Sequence, residues 1–323
     1  MNLLINYELF LAKIITWIII SFSLLILLNI IKKNKMKNKN IFKITLLNKQ
    51  YRKNQNDILL SKMTKFEQKI WLKNQKNKNQ EQYKNKTLYI LDFKGDINAN
   101  QVSGLREEIS AILSVANKDD AVLLRLESSG GVIHGYGLAA AQLQRLRQKK
   151  IYLIISIDKI AASGGYMMAC VANYIISAPF AIVGSIGVVG QIPNFNKWLK
   201  KRDIDIELHT AGDYKRTLTM FGNNTESTRN KFCEELNTTH MLFKNFIKDM
   251  RPSLNINDVS NGEHWFGSMA LQKKLVDQIS TSDDILISKM KEYNLLSIKY
   301  IYRKTMLEHF SALVSDKIKK IFF

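Results

Sequence analysis

Residues 121–131 read Ala-Val-Leu-Leu-Arg-Leu-Glu-Ser-Ser-Gly-Gly, and this stretch decides the fold. A short, nearly continuous apolar run is typical of a strand that is buried on both faces of a parallel sheet. The two glycines then end the strand, and a helix is predicted to follow over residues 136–149. A buried strand that leads through a tight turn into a helix indicates a parallel α/β protein.

The same alternation of strands and helices extends along the chain in both directions. We predict strands at 87–93, 151–157 and 204–208, helices at 105–115, 163–174 and 226–248, and a helix-to-strand junction at 272–278. Residues 161–195 carry no charge, and 176–190 within them could be taken for a second membrane span. Pro179 and several glycines interrupt that run, so we expect short buried strands there instead.

The N-terminal end has the pattern of a membrane anchor. Residues 14–31 are apolar and uncharged, and as a helix they would span about 27 Å, close to the hydrocarbon thickness of a bilayer. Lysines follow this run, whereas a cleavable signal peptide has its positive charge in front. We therefore expect a retained anchor at about residues 9–31 in the cell inner membrane. The positive-inside rule favours the cytoplasmic side for the rest of the chain.

The positive charge is concentrated in one segment. The chain has a net charge of +20, of which +14 lies in residues 32–86 and only +6 in residues 87–323. We predict a membrane anchor over 1–31, a basic polar linker over 32–86 and a folded domain over 87–323. No motif for reading nucleic acid accompanies the basic segment, so a nucleic-acid partner is not expected.

One short stretch of the basic segment has an apolar stripe at helical spacing, formed by Leu59, Met63, Phe66 and Ile70. A basic amphipathic helix of this kind would lie on anionic membrane lipid, or it would pack against the domain or a neighbouring subunit. The spacing leaves these alternatives open.

Cysteine and histidine usage argues against a metal centre. The two cysteines, Cys170 and Cys233, and the five histidines are scattered without the spacing of metal ligands. We therefore predict neither a metal nor a cofactor.

Ser163 is the first candidate for chemistry. It lies in Ala-Ala-Ser-Gly-Gly (161–165), after a predicted strand and at the start of an apolar helix. The helix dipole and the free N–H groups at a helix start would favour a nucleophile there, although a serine at this position is also a common helix cap. Gly130 and Gly131 end another strand, where their N–H groups would stabilise an oxyanion or simply form a tight turn.

Three residues could activate Ser163 as a general base. His134 and His209 would suit a Ser/His/Asp triad, and Lys215 follows a predicted strand and a glycine turn. A lysine acts as a base only when an apolar surrounding lowers its pKa by about three units from about 10.4. The uncharged residues around Ser163 would supply that surrounding, but spacing alone does not select among the three.

Motif after motif in residues 121–221 resembles the bacterial signal peptide peptidase A family, and the anchor and basic segment are similar as well. The segments that carry the resemblance are Leu-Arg-Leu-Glu-Ser-Ser-Gly-Gly (124–131), His-Gly-Tyr-Gly-Leu-Ala-Ala (134–140), Asp-Lys-Ile-Ala-Ala-Ser-Gly-Gly-Tyr-Met-Met-Ala-Cys (158–170), Ser-Ala-Pro-Phe-Ala-Ile-Val-Gly-Ser-Ile-Gly-Val (177–188) and His-Thr-Ala-Gly-Asp-Tyr-Lys-Arg-Thr-Leu-Thr (209–219).

The resemblance implies a serine–lysine endopeptidase on a ClpP/crotonase-like layered α/β fold. It assigns Ser163 as the nucleophile, Lys215 as the general base and Ser185 as the serine that orients the lysine. The oxyanion and substrate-binding positions it implies are Gly130, Gly131 and Gly164. It also implies a homo-oligomer whose substrates are apolar peptides, such as signal peptides or fragments of membrane proteins. The alternatives are a catalytically weak or inactive membrane scaffold on the same fold and a crotonase-like acyl-CoA enzyme.

Two positions depart from the family pattern. Ser129 stands where the family commonly has proline, so the loop before the glycines loses a rigid residue. Lys274 replaces a glycine at the predicted helix end before Leu275. We expect slower catalysis at most.

Overall fold

The computed structural model of the chain describes residue 10 and residues 13–26, 42–76 and 84–301. The chain divides into two compact units, residues 1–42 and residues 43–323. The described backbone of the first unit includes a helix, α1 (13–26), which covers much of the predicted anchor. Residues 9, 11, 12 and 27–31 of that prediction lie outside the described part. None of the helices in these ranges is both long enough and apolar enough to cross a membrane.

A seven-stranded sheet forms the centre of the fold. From the second strand to the last in spatial order, every neighbouring pair runs parallel. This arrangement confirms the predicted α/β class with mainly parallel strands. In spatial order the strands are β1 (Phe42–Leu46), β10 (Asn294–Tyr300), β2 (Thr87–Lys94), β3 (Ala121–Glu127), β4 (Tyr152–Ile157), β6 (Tyr174–Ser177) and β9 (Gln278–Ile279).

A smaller sheet carries the candidate site. Its strands β5 (Ile160–Ala162) and β7 (Ile182–Gly184) run parallel, and β8 (His264–Phe266) pairs antiparallel with β7. The remaining helices are α2 (Leu47–Ser61), α3 (Lys65–Lys76), α4 (Val102–Val115), α5 (Ile133–Gln148), α6 (Gly164–Ala169), α7 (Asn196–Lys200), α8 (Glu226–Met250), α9 (Ile256–Val259), α10 (Gly267–Gln272) and α11 (Ser282–Lys289).

The central strands are buried on both faces, as their continuous apolar sequences predict. Leu123 and Leu124 are adjacent in β3, point to opposite faces and are both fully buried. One face packs Leu123 with Leu88 and Ile90 against Leu286 of α11. Full burial of a leucine stabilises the fold by about 2 kcal/mol, so these strands form the core on which the site is built.

The uncharged interval also behaves as predicted, because it contains the short strands β6 and β7. Ile176 and Val183 within it are fully buried in the protein. The helix predicted over 163–174 ends earlier, at Ala169. Asn173 explains the shortening. Its backbone N–H donates to Leu153 C=O in β4, and its side-chain oxygen accepts from Leu153 N–H, so the chain is drawn into the sheet.

The strand predicted over 204–208 is wrong: these residues are irregular in the structure. Their sequence alternates apolar and charged residues, which suits a strand with one covered face. However, no strand in the described part of the chain pairs with them, and Ile204, Ile206 and Leu208 are about half exposed. An alternating pattern forms a strand only where a hydrogen-bonding partner is available.

The boundary predicted at residue 87 lies inside the folded unit, because residues 42–61 belong with the sheet. Strand β1 lies beside β10. Asn48 of α2 is buried against the start of β10 and the residues just before it. Its side-chain N–H groups donate to the carbonyls of Met290 (3.4 Å) and Tyr293 (3.1 Å), and its oxygen accepts from Leu295 N–H (2.6 Å). At least this part of the predicted linker is therefore structural.

The predicted single apolar stripe from Leu59 to Ile70 is also wrong, because two helices share it. α2 ends at Ser61 and α3 begins at Lys65. Thr64 caps the new helix: Thr64 N–H donates to the Glu67 carboxylate (2.8 Å), and Glu67 N–H donates to the Thr64 hydroxyl (3.4 Å). This reciprocal capping box starts a helix and interrupts the preceding one.

Replacing Asn48 by alanine should destabilise the protein by about 2–3 kcal/mol, because a buried backbone N–H and two carbonyls lose their partner. Urea unfolding monitored by circular dichroism measures this change. The control is Asn54→Ala, on the exposed side of the same helix. Equal stability of the two variants would contradict the view that residues 42–61 are part of the folded domain.

Glu108 makes the stability depend on pH. Its side chain is buried in α4, accepts a hydrogen bond from Tyr300 N–H (2.7 Å) and lies near Asp92 and Lys299. Burial raises its pKa from 4.5 to about 7. The folded state therefore holds this proton more tightly than the unfolded state, and the free energy of unfolding should fall as pH rises from about 4.5 to 7.

Glu108→Gln should remove this part of the pH dependence, worth about 2 kcal/mol between pH 5 and pH 8. Urea titrations of both proteins across that range measure it. Glu107→Gln, at the neighbouring and less buried position, is the matched control and should keep the wild-type slope. An unchanged slope in Glu108→Gln would show that this carboxyl group is not the cause.

Candidate active site

Ser163 occupies a strained turn between β5 and α6. Its backbone angles are φ 52° and ψ −118°, which a residue with a side chain rarely adopts. Two hydrogen bonds hold it there: Ser163 N–H donates to Gly184 C=O (2.8 Å), and Met167 N–H donates to Ser163 C=O (3.0 Å). The turn presents a partly exposed serine at the start of a buried helix, as a nucleophile requires.

The small sheet sets Ser185 beside Ser163. Strands β5 and β7 are parallel, and Ala162 lies opposite Gly184 in their register. The next residue of each strand is therefore one of the two serines. Ser185 has the same φ of 52°, and its N–H donates to Glu263 C=O in the segment before β8 (2.6 Å). Two serines that are 22 positions apart in sequence thus become neighbours.

Both serines line a cavity of about 700 Å³. Its walls are mainly apolar, and none of the lining side chains in the described part of the chain is titratable. The lining residues are Ile97, Ser129, Gly130, Gly131, Val132, Ile133, Ser163, Gly164, Met167, Ser185, Gly187, Val188, Val189, Phe243 and Gly262. Such a cavity would exclude water from an apolar ligand.

The glycine loop packs directly against Ser163. Gly130 has φ 90°, and a Cβ atom there would lie 2.8 Å from both the Gly164 nitrogen and the Ser163 Cβ. Only glycine fits this position. The Gly130 N–H already donates to the Ser128 hydroxyl (3.1 Å). In the described structure the Gly131 and Gly164 N–H groups have no acceptor, so these two remain available for an oxyanion.

The predicted bases do not line the cavity. Lys215 lies in an exposed turn, where its backbone N–H donates to Gly212 C=O (3.2 Å). His134 is exposed, and His209 contacts Glu207 on the surface (3.2 Å). The structure therefore brings together Ser163, Ser185 and the three predicted glycines, and it does not bring any of the three candidate bases to them.

Other reactive groups do not compete with Ser163. Cys170 is fully buried in an apolar surrounding that raises the pKa of its thiol, so it remains protonated and unreactive. Cys233 is exposed on α8, outside the cavity lining. Across the described ranges, no cluster of three or more histidine, cysteine or acidic side chains could hold a metal ion.

Sequence reasoning missed the apolar walls of the cavity. Ile97 comes from the segment after β2, and Phe243 comes from the long helix α8. Each looks like an ordinary core residue in the sequence, and only the packing of α8 near α6 places Phe243 at the cavity. The hydroxyl pair Ser128 and Tyr136, behind the glycine loop, was likewise not identified, although both lie inside motifs of the family resemblance.

Known proteins match the chain over its whole length. The model of the peptidase family S49 N-terminal region matches residues 2–143, and the peptidase family S49 model matches residues 145–296. "Probable protease SohB" of Buchnera aphidicola subsp. Acyrthosiphon pisum (strain APS) is 72% identical, over 100% of this chain and 98% of that protein.

Two further relatives carry the same name, "Probable protease SohB". The protein of Buchnera aphidicola subsp. Schizaphis graminum (strain Sg) is 67% identical over 99% of this chain and 97% of its own length. That of Haemophilus influenzae (strain ATCC 51907) is 56% identical over 71% of this chain and 65% of its own length. The resemblance inferred from the motifs is confirmed, and the chain belongs to peptidase family S49.

Proposed function

We propose that this S49 protease is a membrane-anchored serine endopeptidase in which Ser163 is the nucleophile and Lys215 is the general base. The observation that carries the proposal is the strained Ser163 turn at an apolar cavity, beside the free N–H groups of Gly131 and Gly164. A nucleophile next to two unpaired donors is the arrangement that acyl transfer needs. The resemblance to the signal peptide peptidase A family implies these roles for Ser163 and Lys215 on a ClpP/crotonase-like fold.

In the first step the Ser163 oxygen bonds to the carbonyl carbon of the peptide while the amine of Lys215 takes the hydroxyl proton. The carbonyl oxygen becomes negative, and the Gly131 and Gly164 N–H groups stabilise it. The carbon–nitrogen bond then breaks, and Lys215 returns the proton to the leaving amine. Water, activated by the same amine, hydrolyses the acyl-enzyme and frees Ser163.

Ser185 would position the lysine during these steps. It directly follows β7, as Ser163 directly follows the parallel strand β5, and both serines line the same cavity. Its hydroxyl would accept a hydrogen bond from an amine that approaches Ser163. The cavity walls supply the desolvation that favours a neutral amine.

The exposed position of Lys215 requires a further element of the proposal. An amine that is solvated stays protonated, so the segment around Lys215 must be covered before it can act as a base. Ile204, Ile206 and Tyr214 of this segment are exposed apolar or aromatic residues in the single chain. Burial of these residues in a homo-oligomer would cover the segment and bring Lys215 to Ser163, from the same chain or from a neighbouring copy.

The cavity favours apolar peptides as substrates. Val132, Met167 and Phe243 present apolar walls, and a charged side chain would lose its hydration there without a partner. Signal peptides and fragments of membrane proteins have this character. The anchor predicted at about residues 9–31 would hold the enzyme at the cell inner membrane, on the cytoplasmic side by the flanking charge. The proposal involves no cofactor and no nucleic acid.

A fluorophosphonate probe tests the nucleophile. We expect the purified full-length protein in detergent to be labelled, and Ser163→Ala to lose the label completely, because the probe reacts with an activated serine. Ser114→Ala, at an exposed serine of α4, is the control and should label normally. A folded wild-type protein without label would favour the alternative of an inactive scaffold.

Lys215→Met should leave the fold intact and reduce peptide hydrolysis by about 100-fold or more, since it removes the general base. The wild-type rate should rise with pH between about 6 and 9, because a general base acts only in its unprotonated form. Hydrolysis of a fluorogenic apolar peptide measures both effects. Lys201→Met, also at an exposed lysine, is the control. A flat pH profile would count against the lysine.

Mixed assemblies identify which chain supplies the lysine. Ser163→Ala and Lys215→Met are each expected to be inactive alone. Co-assembly of the two would restore activity if the lysine of one copy serves the serine of another, and it would not if each copy uses its own lysine. Either result, together with an inactive Lys215→Met, is compatible with the proposed dyad.

A further inference from the structure

A continuous chain of hydrogen bonds lies behind the glycine loop. Gly130 N–H donates to the Ser128 hydroxyl (3.1 Å), the Ser128 and Tyr136 hydroxyls are 2.5 Å apart, and the Tyr136 hydroxyl donates to Asp96 C=O (2.8 Å). Ser128 is 2% exposed and Tyr136 is fully buried. These four groups therefore form one network next to the candidate site, which is buried from Gly130 to Tyr136 and ends at the backbone of the exposed Asp96.

The direction of this network is fixed by its two ends. An amide N–H can only donate, and a carbonyl oxygen can only accept. The single proton of the Tyr136 hydroxyl is used toward Asp96, so the Ser128 hydroxyl must donate to Tyr136 while it accepts from Gly130. Each hydroxyl thus donates once and accepts once, and a buried chain with one direction is stronger than its isolated bonds.

This network supplies the hydrogen bond of the glycine loop itself, and Val132 N–H, directly after the loop, donates to Ile97 C=O (2.9 Å). Within the described structure, residues 129–131 take part in one hydrogen bond, the one from Gly130 to Ser128. Ser129 stands where the related family has proline, so the loop also lacks that rigid residue. Backbone bonds hold Ser128 itself to the strand before the nucleophile, through Ser128 N–H to Ile160 C=O (2.9 Å) and Ala162 N–H to Ser128 C=O (3.0 Å).

The ring of Tyr136 touches the other side of the site. A Cβ atom on Gly164 would lie 2.5 Å from the Cγ atom of Tyr136, so the ring packs directly on the residue after the nucleophile. The ring of Tyr136 therefore contacts one candidate oxyanion donor, Gly164, and its hydroxyl is linked through Ser128 to Gly130, the residue before the other donor. The distance between the two donors depends on where this ring and hydroxyl lie.

We propose that Tyr136 and Ser128 are positioning residues for the oxyanion site. Their hydroxyls hold the glycine loop so that the Gly131 N–H faces the cavity at the correct distance from the Gly164 N–H. This inference rests on the proposed serine-protease function. Oxyanion donors act only when they are held close to the position of the developing charge, so a small displacement of the loop lowers the rate of the chemical step.

Tyr136→Phe is the sharpest test, because it removes the hydroxyl and keeps the ring on Gly164. We expect kcat to fall about 10-fold while KM changes by less than about twofold, and the shape of the pH profile to stay as in the wild type. The rate of fluorophosphonate labelling of Ser163 should fall in parallel, because the probe's phosphoryl oxygen uses the same donors.

Tyr166→Phe is the matched control. Tyr166 is also fully buried, it lies in α6, and its hydroxyl donates to Leu275 C=O (3.0 Å) away from the glycine loop. Tyr136→Phe loses the two hydrogen bonds of its hydroxyl and Tyr166→Phe loses one, so both variants should lose stability in urea unfolding. Only Tyr136→Phe should lose kcat. Equal kcat in the two variants would overturn the positioning role.

Ser128→Ala breaks the same chain at a second point. If the two hydroxyls act through one network, the double variant Ser128→Ala/Tyr136→Phe loses no more kcat than the more damaged single variant. Additive losses would overturn the proposal. Labelling that is lost in Ser163→Ala tests the protease function separately from the positioning role. If the wild type is labelled at Ser163 and Tyr136→Phe keeps a normal kcat, the positioning role is refuted and the protease function stands.

Discussion

The site depends on one pairing, that of the short strands β5 and β7. Because they run parallel with Ala162 opposite Gly184, the chain leaves both strands at the same level and sets Ser163 beside Ser185. The hydrogen bond from Ser163 N–H to Gly184 C=O stabilises the strained turn at Ser163. A shift of the register by one residue would move both serines away from the cavity and turn their side chains to the other face.

The second constraint is close packing between two glycine turns. Gly130 follows the end of β3 and lies against Gly164 and Ser163, with no space for a Cβ atom. This contact brings the end of a strand of the large sheet to the start of helix α6 and leaves the Gly131 and Gly164 N–H groups unpaired at the cavity. Since the described lining of the cavity holds no titratable side chain, the proposed general base, Lys215, would have to reach the cavity from an exposed segment.

Different parts of the structure were predictable to different degrees. The strands β2, β3 and β4 were identified because apolar runs buried on both faces have a local signature. The capping box at Thr64 and Glu67 is equally local, and it divides between two helices the apolar stripe whose spacing predicts one helix. Residues 204–208 have a strand pattern but no strand partner in the described chain, and pairing is not a local property. Asn48 resembled a linker residue, because its three backbone partners lie more than 240 positions away.

The sequence by itself determined the parallel α/β class and the family, and it nominated the residues proposed for the chemistry, because burial periodicity and motif spacing are properties of short segments. Only the tertiary structure decided that Ser163 and Ser185 are neighbours, that the Gly130 N–H is already used by Ser128, and that the Tyr136 hydroxyl is hydrogen-bonded to Ser128. It also showed that Lys215 is exposed in the single chain. These facts depend on contacts between segments far apart in sequence, and such contacts are determined by the packing of the whole domain rather than by any one segment.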